Sequence, residues 1–160
     1  MGNNNSRFRQ TEHLLRHYNY YKAKIEEKRA EIAYLKQYGL PEVSPNFVGA
    51  NIQGNNDKAD MLEQEILRLE KLLDFLTKSV KLIELALDVL RCDPYYIIID
   101  LKYFKNKSFE YIADYYNAST TTIYRNRDRL INKAKNIIFS EDRLKTILAY
   151  KGGDNNGGRS

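Results

Sequence analysis

Leu62, Ile66, Leu69, Leu73, Leu76, Val80, Ile83, Leu87 and Leu90 recur at alternating spacings of four and three residues without a miss. A strict seven-residue repeat keeps one apolar seam on one side of an α-helix and turns it toward a partner helix. A helix over residues 57–92 is therefore expected, roughly 50 Å long at about 1.5 Å per residue. Periodicity does not name the partner. An antiparallel pairing with an earlier helix of the same chain and a homo-oligomeric seam both use this stripe. Leu67, Leu72, Phe75, Leu82 and Leu85 widen it, as in a bundle of three or more helices, so the two arrangements are compatible.

An earlier helix is available. Leu14, Tyr18, Tyr21, Ile25, Ile32 and Leu35 follow a similar spacing, with Lys28 filling one slot, and predict a long helix over 9–38. Gly39 and then Pro41 supply its stop. Residues 39–56 hold Gly39, Pro41, Pro45, Gly49 and Gly54 and are read as a connecting loop. The polar stretches 1–8 and 151–160 are expected to be disordered ends. Apolar residues make up 42% of the chain, enough for a packed core. The expected fold class is all-α, with long N-terminal helices (a coiled coil or helical hairpin) followed by shorter helices toward the C-terminus.

Several function classes drop out on chemistry. The single cysteine, Cys92, allows no internal disulfide and fits a reducing, cytoplasmic setting. No apolar run approaches the roughly 20 residues that span a bilayer, so no membrane partner is expected. There is no phosphate-binding glycine loop, nucleophile elbow or recognisable catalytic carboxylate pair, so no enzyme and no cofactor is expected. His13 and His17 have the i, i+4 spacing of metal ligands, but Glu12 precedes them and no third ligand is evident, so no metal is expected. Of the thirteen tyrosines, Tyr18, Tyr21 and Tyr116 fall on faces that pack, which favours core over an aromatic nucleic-acid surface.

Charge points elsewhere. The chain carries a formal +5, and the whole excess lies between Lys102 and Lys135, where eight Lys/Arg face three acids. A localised basic excess is the electrostatic footprint of a nucleic-acid partner. Residues 93–138 carry it on three short helices, expected at about 94–105, 108–116 and 120–138, with Asp93 as N-cap and Pro94 in the first turn. A last helix over about 141–150, within segment 139–150, is capped by Ser140.

The middle of this segment has the spacing of a helix-turn-helix. Phe109, Ile112, Ala113 and Tyr116 fall at i, i+3, i+4 and i+7, Asn117 suits a left-handed helix stop, and Ser119 suits the next N-cap. In the second helix Ile123, Leu130 and Ala134 share the inward face. Thr121, Arg125, Asp128 and Asn132 share the outward one, flanked by Thr120, Tyr124 and Arg129. Arginine pairs with guanine and threonine methyls pack on thymine methyls in the major groove. Thr120, Thr121, Tyr124, Arg125 and Asp128 are therefore the expected base readers. Lys105, Lys107, Ser119, Arg127, Arg129, Lys133 and Lys135 are the expected phosphate contacts.

Asp100-Leu101-Lys102-Tyr103-Phe104, Lys107-Ser108-Phe109-Glu110-Tyr111-Ile112-Ala113 and Thr122-Ile123-Tyr124-Arg125-Asn126-Arg127 resemble sigma-factor region four. They are more similar still to the helix-turn-helix of phage-encoded ArpU/RinA-type regulators. The similarity covers about 45 residues (93–138) and is architectural over 9–91. It implies a regulator of phage or prophage late genes in a bacterial cytoplasm, with double-stranded DNA as partner, RNA polymerase as a second one, and Thr120, Thr121, Tyr124 and Arg125 facing promoter bases. Asn126 departs from the usual pattern, since many such motifs bury an apolar residue there. A rival class is the phage small terminase, which also joins a helix-turn-helix to a coiled coil. There the DNA-binding part usually comes first, whereas here it comes last. The other rival is a pure interaction protein whose basic helices bind no DNA.

Overall fold

The computed structural model describes residues 2–42 and 55–140, and among them every regular element is a helix. In order these are α1 (Gly2–Tyr38), α2 (Asn55–Leu90), α3 (Ile97–Ile99), which runs on into a π-helical turn over Asp100–Phe104, α4 (Phe109–Tyr116) and α5 (Thr120–Ile138). The helix expected at 141–150, the tail 151–160 and most of the 39–56 loop lie outside the described residues. None of the described helices is long and apolar enough to cross a membrane.

Gly39 closes α1 as its sequence predicts. Its φ of 77° is the left-handed conformation that glycine adopts without a Cβ clash. Its N–H returns to the Leu35 carbonyl at 2.9 Å. The start of α1 differs from expectation: residues 2–8 are helical rather than a disordered lead. These residues have packing partners that a polar composition hides. Phe8 packs against the core, the Arg7 guanidinium stands 5.9 Å from the Phe139 ring centroid, and Asn4 accepts from the Lys135 ammonium.

The chain folds as two compact units. In the unit of Lys22–Thr77, the late part of α1 packs on the early part of α2. Ile32, Leu35 and Leu69 are buried there, with Leu40, Leu62, Ile66 and Leu73 against them. Lys36 and Glu70 pair across the two helices at 2.9 Å. Within the chain, the seam meets α1. On the outer positions of α2, Met61, Leu67, Leu85 and Val89 are exposed.

The other unit joins the residues up to Tyr21 with those from Lys78 on. Leu15 of α1 and Ile83, Ala86, Leu87 and Leu90 of α2 form one wall of its core. The remainder comes from Ile98, Ile99 and Leu101, from Ile112 and Ala113 of α4, and from Ile123, Leu130, Ile131, Ala134 and Ile138 of α5. Each fully buried Leu or Ile contributes about 1.5–3 kcal/mol by leaving water. On α1 the buried line runs through Thr11 and Leu15, with Leu14 only half-buried. Thr11 obscured that register because it is polar; its hydroxyl is satisfied by the Arg7 carbonyl at 2.8 Å.

The helix expected to start at Pro94 starts three residues later. Asp93 caps a turn instead, accepting from Tyr95 N–H at 2.9 Å through its carboxylate and from Tyr96 N–H at 3.0 Å through its carbonyl. The π-helical turn ends where Lys105 N–H reaches the Asp100 carbonyl at 3.0 Å. Asn106, with φ 51°, then reverses the chain into α4.

Candidate nucleic-acid interface

Local chemistry builds the α4–turn–α5 pair. Ser108 Oγ accepts from Tyr111 N–H at 3.1 Å and satisfies an orphan donor of α4. Asn117 ends the helix at φ 49° and ψ 47°. Its N–H bonds to the Asp114 carbonyl at 3.1 Å and that of Ala118 to the Ala113 carbonyl at 3.0 Å, the paired closure of a left-handed helix stop. Ser119 then caps α5, its Oγ accepting from Thr122 N–H at 3.2 Å.

The faces of α5 divide as the sequence predicts. Ile123, Leu130, Ile131, Ala134 and Ile138 are buried, while Thr121, Tyr124, Arg125, Asp128, Asn132 and Lys133 are exposed and Thr120 is half-buried. Asn126, the departure from the usual apolar pattern, is half-buried and satisfied. Its amide donates to the Thr122 carbonyl at 3.0 Å, and its Oδ1 accepts from Arg129 Nε at 3.3 Å.

The basic residues divide differently from expectation. Arg125 is exposed and has no acid or amide partner among the described residues. Lys133 and Lys107 are also exposed, the Lys107 ammonium 5.0 Å from the Tyr111 ring centroid. Lys105 pairs with Asp100 at 2.9 Å but stays at the surface. Arg129 forks onto Asp93 through two bonds of 2.6 and 2.9 Å. That hydrogen-bonded guanidinium, foremost among the causes, holds the Asp93 carboxyl down at about 2.

Two of the expected phosphate contacts are engaged within the chain. Lys135 is 7% exposed, and its ammonium is taken up by Asn4 and by Asn132 Oδ1 at 2.8 Å. Arg127 is likewise turned inward, with a side chain only 17% exposed. It donates to Glu12 Oε1 at 3.0 Å. Its Nε also lies 2.6 Å from Asp128 Oδ1, a charge contact without hydrogen-bond geometry. Asp128, expected to read bases, therefore has an intramolecular partner. Ser119 is engaged as a cap, its Oγ 2.9 Å from Thr122 Oγ1.

Glu12, Asn4 and Asp93 thus shape this face without having entered the expected set. No spacing rule reveals them, because each acts across distant sequence. The tyrosines also divide: Tyr18, Tyr21 and Tyr116 are half-buried, but Tyr111, Tyr115 and Tyr124 are exposed on α4 and α5. On α1, His13 and His17 bring their Nδ1 atoms within 3.3 Å. Among the described residues no group of three side chains is poised to hold a metal. No family model, curated protein or solved structure matches this chain.

Proposed function

We propose that this chain is a sequence-specific, double-stranded DNA-binding transcriptional regulator that lays α5 in the major groove, with α4 and the Asn117 turn holding it at a sigma-region-four-like angle. The ArpU/RinA-type resemblance gives the proposal its setting: late genes of a phage or prophage, in the bacterial cytoplasm, with RNA polymerase as a further partner. The observation that carries it is Arg125, exposed and unpaired in the first half of a capped helix while Arg127, Arg129 and Lys135 beside it are all engaged within the chain. A guanidinium left free beside Thr121 and Tyr124 suits bidentate pairing with guanine. Lys107, Lys133 and Lys105 are the cations best placed for phosphate, with Arg129 reachable at the rim.

The test is selection from a random DNA pool, followed by fluorescence anisotropy across salt for the native chain and Arg125→Ala. The native chain is expected to enrich one motif. Roughly three to four phosphate contacts per chain give a log–log salt slope of about −3. Arg125→Ala is expected to weaken the selected site by about 1–3 kcal/mol and to flatten preference at one base pair. Absence of any enriched motif, with the variant indistinguishable from native, would refute the assignment.

A further inference from the structure

Beneath Tyr124 lies a layer of charged and aromatic groups that the DNA-reading proposal leaves without a role. Glu12 Oε1 accepts from the Tyr103 hydroxyl at 2.7 Å and from Arg127 at 3.0 Å. The Arg127 guanidinium stands 5.3 Å from the Phe109 ring centroid and 5.7 Å from that of Tyr124. The two rings are themselves 4.3 Å apart. Tyr124 is nevertheless 42% exposed, so one part of its ring is held and the rest is presented outward.

An aromatic side chain loses little conformational entropy when it binds, provided its pose is set beforehand. Here the pose is set by a cation over the ring, and the cation is fixed by a carboxylate from α1. Arg127 is poorly suited to reach a phosphate instead, because leaving would abandon Glu12 as an unpaired, half-buried charge.

We infer that Glu12 and Arg127 are positioning residues that preset Tyr124 against the C5-methyl of a thymine in the major groove, so that α1 helps set the sequence preference of α5. The inference rests on the DNA-reading function proposed above. Apolar contact is how the thymine methyl is told from the other bases.

The experiment replaces each thymine of the selected site by deoxyuridine, which removes only the methyl group. With the native chain one replacement is expected to weaken binding about threefold to fourfold, the worth of one buried methyl. That penalty is expected to vanish in Tyr124→Ala, in Glu12→Gln and in Arg127→Lys, with the salt slope unchanged. Glu12→Gln keeps an acceptor for Tyr103 and is expected to leave the helical circular dichroism as it was. The sign discriminates: an acid merely close to DNA would, once neutralised, raise affinity at every site. Without DNA, 3-fluorotyrosine labelling with Tyr124 assigned by Tyr124→Phe is expected to show its ¹⁹F resonance shifted in both positioning variants. An unmoved resonance in both, or a methyl penalty of full size in Glu12→Gln, overturns the positioning while the regulator reading stands. A native chain that selects no motif removes that reading, and the thymine contact with it.

Discussion

Asp93 and Arg129 illustrate how one residue changes its meaning once its neighbour is known. The carboxylate bonds the Tyr95 N–H and takes both arms of the Arg129 fork, an arrangement that binds the charged form of the acid. Its folded value of about 2 lies below its ordinary 3.8, so folding favours the deprotonated carboxylate. The stabilisation is complete above about pH 4 and is lost as pH falls toward 2. Because Arg129 is half-exposed, solvent screening reduces it to about 1–2 kcal/mol. Asp93→Asn is expected to lower stability by that amount at pH 7 and to differ little from native near pH 2, as read by urea denaturation at each pH. An equal deficit at both values would mean that the ion pair contributes nothing.

At the scale of the element, α5 owes its start to a cap and its place to its apolar face. Ser119 satisfies the Thr122 N–H, and replacing such a cap by alanine costs about 1 kcal/mol. Ser119→Ala is therefore expected to fray the first turn of α5, where Thr120 and Thr121 sit. The check is amide exchange by NMR: faster exchange at residues 120–123 with protection kept at 130–138. Uniform loss along α5 would show that the cap governs the whole helix. The helix pair itself was legible because its signals are short-range. Ser108, Asn117 and Ser119 act on groups within five residues, and Ile112, Ala113, Ile123 and Leu130 are buried where their spacing put them. The start of α3 was less legible, since Asp93 serves Arg129 as well as its own turn. The opening residues of α1 were not legible at all, since no apolar rhythm marks them.

For the whole molecule, two units with separate cores imply that one can open without the other. Leu69 is fully buried in the Lys22–Thr77 unit, and truncating such a leucine costs about 2–5 kcal/mol. Hydrogen exchange read by mass spectrometry on Leu69→Ala is expected to show lost protection around 25–36 and 62–76, with 98–138 still protected. The particle mass by light scattering is expected to stay that of the native chain, because the seam position faces α1. A fall in mass would instead assign Leu69 to an interface between copies.

The long helices, the helix stops at Gly39 and Asn117 and the outward placement of Arg125 follow from the order of residues alone, because periodicity and capping are settled between residues a few positions apart. Which cations remain free depends instead on contacts between distant elements. Glu12 takes Arg127 across 115 residues and Asp93 takes Arg129 across 36, pairings that depend on how the core brings α1, the turn after α2 and α5 together. The same holds for the heptad seam. Its existence is written in the spacing of leucines, but its packing on α1 within the chain is not, since a stripe of apolar side chains buries equally well against any helix of matching face.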